Sequence, residues 1–192
     1  MRKRWVILII GVTAALALSA CTCNPPQLSS QSVTLRAQEN SNWCWAASGQ
    51  MVMSFLGTNV NQCTQANTIL NRNDCCNNPL PNGCNTTGWP EFEENNFKFD
   101  RTSNTALTWG DIRLQIHCSK KPFAFSWHWP GGGGHMMVVY GYATINNVNY
   151  VSVYDPLPVG MGTDTIYTYD YYNTSPGHHT HWDDFYNVTK ED

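Results

Sequence analysis

Cys44 stands between two tryptophans, at the start of the apolar run of residues 46–56. This run is too continuously apolar for a surface helix, so it predicts a buried helix that ends at Gly57. Ser41 or Asn42 can cap that helix, which would place Cys44 in its first turn. Free N–H groups and the helix dipole stabilise a thiolate there, and the thiolate is the nucleophilic form of cysteine. The alternative is a structural cysteine packed under the tryptophans.

A cysteine nucleophile needs a base, a group that orients this base, and hydrogen-bond donors for the oxyanion. His135 suits the base because it begins a predicted strand directly after four glycines, which let a substrate backbone approach. Asp155 ends the next predicted strand and can accept a hydrogen bond from His135, although a turn aspartate is the alternative. Gln38 lies six residues before Cys44, and its amide can reach an oxyanion beside the helix N-terminus.

The register of these two predicted strands decides whether His135 and Asp155 can meet. Side chains alternate along a strand, so a two-residue turn at Asn146 and Asn147 would place the two residues on opposite faces. They face each other if the loop has an odd length, if a bulge adds one residue, or if the chain bends at Pro156. The sequence leaves these three possibilities open.

The other five histidines have structural interpretations. His117 ends a predicted helix, where its charge suits the helix dipole. His128 lies between two tryptophans and is interpreted as a packing residue. The cluster of His178, His179 and His181 predicts a polar surface loop, with metal binding as the alternative.

The elements that must position these residues change in character near Pro122. Helical patterns come first, at residues 46–56, 62–70, 89–96 and 108–117. Strand patterns occupy residues 97–99, 123–127, 136–142, 148–154 and 165–171. Helices in the first half and strands in the second predict an α+β fold.

The N-terminus has the pattern of an exported protein. Three basic residues precede the apolar residues 5–18, which predicts a secretory signal peptide over residues 1–20, too short for a typical membrane span. Its end, Leu18-Ser19-Ala20-Cys21, resembles a bacterial lipobox, in which the cysteine becomes the lipidated first residue; an ordinary cleavage site is the alternative. Thr22 replaces the aspartate of an inner-membrane retention signal. We therefore expect an extracytoplasmic lipoprotein, on the outer membrane or the periplasmic face.

The rest of the chain predicts a tether followed by one domain. Residues 21–35 are polar and contain prolines, as a tether does, while residues 36–192 can bury a substantial core. Without the basic residues of the signal peptide, eight basic residues remain against 14 acidic ones, a formal charge of −6. This balance predicts no nucleic-acid partner, and we expect a monomer.

Eight cysteines in an exported chain predict disulfides. Four of them lie within 22 residues and are predicted to form two bonds: Cys63, Cys75, Cys76 and Cys84. Adjacent cysteines rarely bond to each other, so Cys75 and Cys76 should each bond to one of the outer two, in an order that the sequence does not decide. Cys23 and Cys118 either pair or stay free. The sequence contains no pair of cysteines with C-x2-C spacing, so no metal site is predicted.

The order Gln38, Cys44-Trp45, glycine-led His135 and Asp155 resembles the papain-like cysteine peptidases. The resemblance is closest to compact bacterial members, the bacteriocin-leader-processing peptidase-like domains and the papain-like effector peptidases of plant pathogens. The pieces Gly-His-Met-Met-Val-Val-Tyr-Gly-Tyr and Val-Tyr-Asp-Pro are similar to pieces of those proteins, and the likeness covers roughly residues 36–172.

Three departures from the larger papains point to this compact branch. Ser41-Asn42-Trp43 replaces the Cys-Gly-Ser that precedes their nucleophile, and the third member of the triad is Asp155 instead of asparagine. His135 lies 91 residues after Cys44, whereas the larger papains need about 130 or more. The resemblance implies an N-terminal helical half whose central helix bears the cysteine, and a C-terminal antiparallel half, within residues 36–192.

The resemblance also implies hydrolysis of peptides or proteins without a cofactor. His135 would take the proton of Cys44, and the thiolate would attack a carbonyl to form an acyl-enzyme. Gln38 and the Cys44 N–H would bind the oxyanion, while Asp155 would orient His135. Two alternatives are a transglutaminase-like acyl transferase that uses the same triad and an inactive binding module of the same fold.

Overall fold

The computed structural model describes residues 23–191. The predicted signal peptide and Cys21 lie outside these residues. Within them, no helix is both long enough and apolar enough to span a bilayer.

Helices and strands follow the predicted order, with additions. The strands and helices are β1 (Leu28–Ser30), α1 (Cys44–Phe55), α2 (Gln62–Leu70), β2 (Phe97–Arg101), α3 (Trp109–Arg113), β3 (Phe123–His128), β4 (Gly134–Ile145), β5 (Val148–Asp155), β6 (Thr163–Thr168), α4 (Tyr169–Asn173), β7 (Thr174–Ser175) and β8 (His179–Lys190). A 3-10 turn at Glu93–Asn95 replaces most of the helix predicted over residues 89–96. A π-helical turn at Leu114–Cys118 continues α3.

One antiparallel sheet organises the molecule. Its strands lie in the order β2-β8-β3-β4-β5-β6, β1 pairs with β4, and β7 pairs with β8. α1 packs on one face, where Met51, Val138 and Phe185 belong to one buried cluster. α3 contributes Ile112 to a second cluster, with Met137 and Val153 of the sheet. The predicted α+β arrangement is therefore observed, with apolar cores on both faces of the sheet.

α1 begins at Cys44 because the segment before it is held by the chain around Asn85. Trp43 occupies the N-cap position without a side-chain cap, so neither residue predicted to cap the helix does so. Instead the Asn42 N–H donates to the Asn85 side chain at 2.9 Å, and Asn85 donates to the Ser41 hydroxyl at 2.9 Å. The helix ends at Phe55.

The described part of the predicted tether belongs to the folded body. Cys23 is bonded to Cys118, and β1 pairs with the far end of β4. Val33 is buried in the core beside α1. β1 has only three residues, and two of their side chains are exposed, so the segment has little apolar pattern. Its polar composition therefore led to the prediction of a tether.

The clustered cysteines form two disulfides, as predicted. Cys63 bonds to Cys76 and Cys75 bonds to Cys84, so the two adjacent cysteines have different partners. These bonds brace the loop between α2 and β2, and each short closed loop stabilises a folded chain by roughly 2–4 kcal/mol. Among the described residues, Cys44 is the free cysteine.

The surface loop predicted around the last three histidines is wrong, because most of this segment is strand β8. This strand lies between β2 and β3 in the sheet, and His179 and His181 are buried. The sequence pattern was misleading because β8 also buries Asp183 and Asp184, which breaks the apolar alternation expected of a strand.

Candidate active site

A single β-bulge brings His135 and Asp155 to the same face of the sheet. β4 and β5 are joined by a two-residue turn, since Ile145 pairs with Val148. Val139 pairs with Val153 but Gly141 pairs with Ser152, so one extra residue, Tyr140, lies in β4. Because of this extra residue, side chains of β4 before Tyr140 point to the opposite face from the one that an unbroken register would give them. Of the three possibilities that the sequence left open, the bulge is the one that occurs.

His135 and Asp155 form a close pair at the start of β4 and the end of β5. The Nε2 atom of His135 lies 2.6 Å from Oδ1 of Asp155. The same carboxylate oxygen accepts the Leu157 N–H at 2.8 Å, which fixes the orientation of the aspartate. His135 is buried and Asp155 is partly exposed. Because Nε2–H donates to Asp155, the Nδ1 atom remains for a second partner.

Cys44 is this second partner. Burial lowers the pKa of His135, but hydrogen bonds to Asp155 and Cys44, together with their charges, raise it to about 9. An imidazole with this pKa is protonated at neutral pH, which favours a thiolate–imidazolium pair. As the first residue of α1, Cys44 also has a backbone N–H with no acceptor inside the helix, so this N–H is available to an oxyanion.

Gln38 is buried and holds the backbone before α1. Its Nε2 donates to the carbonyls of Asn40 at 2.8 Å and Ser41 at 2.9 Å. Its own backbone bonds to the loop after Asp155, through Pro156 O and Gly160 N. Both amide protons are thus used by the protein, and the predicted oxyanion contact requires one of them to be released. The role of Gln38 in the oxyanion site stays a prediction.

A cleft of about 280 Å³ lies beside Cys44 and His135. The other residues that line it are Trp45, Thr87, Gly88, Trp89, Ser126, Gly133, Gly134, Met136 and Trp182. Gly134 allows the close approach of β3 and β8, because a Cβ at this position would clash with the Trp127 carbonyl and contact the Trp182 ring. The four glycines before His135 therefore have at least one packing role besides substrate access.

The braced loop after α2 forms one wall of this cleft and fixes the tryptophans beside the nucleophile. The Trp43 indole N–H donates to Cys84 O at 2.8 Å, and the Trp45 indole N–H donates to Thr86 O at 3.0 Å. The loop then continues into Thr87 and Gly88 at the cleft. The disulfides therefore help to position the Cys44 segment, a link that cysteine spacing did not predict.

Two aromatic residues that the sequence did not single out, Trp89 and Trp182, also line the cleft. The rings of Trp89 and Trp182 meet edge to face, with centroids 4.8 Å apart. The Arg101 guanidinium lies 4.7 Å from the Trp89 ring and forms an ion pair with Asp183 at 2.6 Å. Trp182 was missed because its strand, β8, was predicted to be a loop.

Among the described residues, one group could bring three metal ligands together, and it is not a metal site. Ligand atoms of Asp74, Cys75 and Cys84 lie within 4.8 Å of one another. The two sulfurs are bonded to each other, so neither is a thiolate that could hold an ion.

Comparisons with known proteins identify a family and a fold. A family model described as "Peptidase_C39 like family" matches residues 30–189. Forty-two chains of solved structures match significantly. One comes from a structure described as "Structural basis for the limited antibody cross reactivity between the mite allergens Blo t 1 and Der p 1". It is 14% identical, with a TM-score of 0.56, and the match covers 88% of this chain and 73% of that chain. No curated protein matches significantly.

At 14% identity this structural likeness shows the fold, and the papain-like α+β fold predicted from the sequence is confirmed. The family model spans most of the sequence, from β1 to β8. The chain therefore belongs to the Peptidase_C39-like family.

Proposed function

We propose that this protein is a cysteine peptidase that hydrolyses peptide bonds through Cys44, His135 and Asp155. The observation that carries the proposal is the His135 side chain, which bonds through Nε2 to Asp155 and interacts on its other side with Cys44. This arrangement borders a cleft and includes the free cysteine of the described chain. Family membership and the papain-like fold support the same reaction class.

The reaction follows from the protonation states at the cleft. The Cys44 thiolate attacks the carbonyl carbon of a peptide, and the carbonyl oxygen becomes an oxyanion beside the N-terminus of α1. The imidazolium of His135 donates its Nδ1 proton to the leaving amine, which produces an acyl-enzyme. His135 then takes a proton from water, the resulting hydroxide attacks the thioester, and Cys44 leaves as the thiolate. Asp155 keeps the ring in the required orientation throughout.

We also propose that the mature protein is exported and anchored by acyl chains on Cys21. The lipobox-like Leu18-Ser19-Ala20-Cys21 motivates the anchor. Three disulfides in the described chain support an oxidising compartment outside the cytoplasm. Membrane fractions of expressing bacteria should contain the protein, and Cys21→Ala should release it or block its processing. Wild-type protein found entirely in the soluble periplasm would disprove the anchor.

A cleavage assay with product identification tests the proposed activity. A mixed peptide library is incubated with wild-type protein and with Cys44→Ala, and the products are identified by mass spectrometry. New peptide termini that depend on Cys44 support hydrolysis. Cross-linked or amine-exchanged products would indicate the acyl-transfer alternative instead. A folded wild-type protein that modifies no peptide, and whose Cys44 is inert towards thiol reagents, would indicate a binding module.

A further inference from the structure

All four lysines of the described chain lie at the end of the sheet that is opposite His135. Lys98 and Lys190 lie at the start of β2 and the end of β8, and Lys120 and Lys121 directly precede β3. Burial and the nearby charge of Lys98 lower the pKa of Lys121. We call this the hairpin end, because the turn between β4 and β5 also lies there. The lysines are concentrated at this end although the mature chain is acidic overall.

Exposed aliphatic side chains accompany the lysines: Leu28 (69% exposed), Leu114 (46%), Ile145 (57%) and Val148 (42%). Leu28 pairs with Ala143, and Ile145 pairs with Val148, so these three aliphatic side chains project from one face of the sheet. Leu114 lies one helical turn before Cys118. Single exposed aliphatic residues are ordinary, but Leu28, Ile145 and Val148 share one face at the end of the sheet that carries the lysines, which is typical of an interaction surface.

The chain also enters the fold at the hairpin end. Cys23 is fixed by its disulfide to Cys118, and the Gln27 carbonyl accepts the Thr144 N–H at 2.8 Å. Only one residue separates Cys23 from Cys21, the proposed acylation site. Because Cys23 is part of the folded body, acyl chains on Cys21 would hold this end of the sheet directly against a bilayer.

We propose that the hairpin end rests on an anionic phospholipid surface, with its aliphatic side chains among the headgroups and its lysines on the lipid phosphates. The proposal takes from the lipid anchor proposed above only the closeness of this end to a bilayer, and it does not rest on the peptidase chemistry. Anionic lipid suits this surface because a basic cluster next to aliphatic side chains attracts headgroups and inserts at the interface. Glu93, Glu94 and Glu191 lie near the start of β2, at one edge of this surface.

This orientation fixes the position of the cleft. Ile145 lies ten positions after His135 in β4, which corresponds to about 33 Å along a strand. With Ile145 at the headgroups, His135 and Asp155 lie at the other end of the sheet, which faces water. The substrates that fit this arrangement are extended peptides or exposed protein segments in the aqueous compartment, not segments embedded in the same bilayer.

Spin labels at the two ends of the sheet test the orientation. Full-length protein carrying Cys44→Ala, produced in bacteria that process lipoproteins, is reconstituted into phosphatidylethanolamine–phosphatidylglycerol vesicles. A nitroxide is attached at Ile145→Cys. Thr180→Cys is the matched control because it is an exposed strand position that pairs with His128, at the end of the sheet where β4 begins. The label at position 145 should collide with lipid-dissolved oxygen and be shielded from a water-soluble nickel chelate. The label at position 180 should show the reverse.

The outcomes separate the surface from the anchor and from the activity. Mass spectrometry of the N-terminal peptide reports whether Cys21 is acylated. An acylated, vesicle-bound protein with a water-exposed label at position 145 would overturn the proposed surface and leave the anchor intact. A bound protein without acyl chains whose label is shielded would support the surface and disprove the anchor. Equal shielding in phosphatidylcholine vesicles would overturn the role of the lysines. Peptide cleavage by wild-type protein is measured separately in detergent.

Discussion

Two histidine–aspartate pairs occur in the described part of the sheet, and they differ in what surrounds them. His135 and Asp155 lie 2.6 Å apart at the edge of the cleft, and the other side of the imidazole interacts with Cys44. His181 and Asp184 lie 3.1 Å apart in the interior, next to the side chain of Tyr172. Residue types and close contact are the same in both pairs, so they do not by themselves identify a catalytic pair.

The interior pair is used to satisfy buried polar groups. Asp184 is fully buried and accepts hydrogen bonds from the Tyr172 hydroxyl and the Leu107 N–H. His181 contacts Asp184 through Nε2 without the alignment of a hydrogen bond, and its Nδ1 lies 3.1 Å from Tyr172 O. Both ring nitrogens of His181 therefore face protein atoms, whereas one nitrogen of His135 faces a thiol at an open cleft. The catalytic role that we propose for His135, and not for His181, rests on this difference.

The largest expected effect is loss of activity in Cys44→Ala and His135→Ala. Removal of the nucleophile or of its proton acceptor should reduce kcat/KM on the order of 10⁵–10⁶-fold, as in other nucleophile–base pairs. His181→Ala is the matched control, and its folded fraction should retain cleavage. Circular dichroism confirms folding and a peptide assay measures kcat/KM. Full activity in folded His135→Ala would remove the distinction between the two pairs.

For stability, we expect the interior pair to matter more than the pair at the cleft. Asp184→Ala leaves the Tyr172 hydroxyl and the Leu107 N–H without their buried acceptor, so it should lower the free energy of unfolding by about 3–5 kcal/mol. Asp155→Ala, at a partly exposed position, should lower stability much less and reduce activity more. Urea denaturation and a cleavage assay at low temperature measure the two quantities. If Asp155→Ala were the more destabilising of the two, our interpretation of both pairs would be wrong.

Gln38→Ala should have an intermediate effect on activity. The variant loses one candidate oxyanion donor, while the Cys44 N–H remains, so we expect kcat to fall roughly 10²–10³-fold. Because the Gln38 Nε2 also donates to the carbonyls before α1, Gln38→Glu serves as a second variant of similar size, whose ionised carboxylate cannot donate a hydrogen bond. If both variants keep wild-type kcat, the proposed oxyanion role is excluded.

The smallest effect is expected for Asp155→Asn, and pH is the variable that reveals it. The pKa of His135 is raised to about 9, so the imidazolium and the activity that needs it should be lost as pH rises through about 9. The raised pKa also stabilises the folded state. This contribution to the free energy of unfolding is complete below pH 6.5, the ordinary pKa of histidine, and is lost as pH rises through about 9. Asp155→Asn keeps an acceptor but removes the charge, so this alkaline limb should move to lower pH with only about a tenfold loss at neutral pH. An unchanged limb would show that Asp155 does not control His135.

The elements that were predicted correctly are those with a strong local sequence pattern. Residues 62–70 were predicted as a helix and form α2, and the strands β3, β4 and β5 were found from their apolar and β-branched residues. β8 was missed because its buried Asp183 and Asp184 bind partners about 80 residues away, Arg101 and Leu107, in contacts that a sequence pattern does not contain. The α+β class was nevertheless predictable, because most elements have a clear period.

At the candidate site, the sequence revealed which residues take part but not how they are placed relative to one another. The order of Gln38, Cys44, His135 and Asp155 was visible in the sequence, but the facing of the last two depends on the one-residue bulge at Tyr140. A bulge of this kind is fixed by pairing across strands and leaves no mark at a single position. The capping of α1 was mispredicted for a similar reason, since Asn85 lies more than 40 residues away from the two residues that it binds.

Covalent labelling of Cys44 tests the central claim most directly. Wild-type protein and His135→Ala are treated at pH 7 with an epoxide inhibitor of papain-like peptidases, and the labelled peptide is identified by mass spectrometry. The three disulfide bonds of the described chain leave Cys44 as the reactive thiol. We predict stoichiometric labelling of Cys44 in the wild type, and slow labelling in His135→Ala because the thiolate loses its counter-ion. Equal rates in the two proteins, or an unlabelled Cys44 in the folded wild type, would contradict an activated nucleophile at this site.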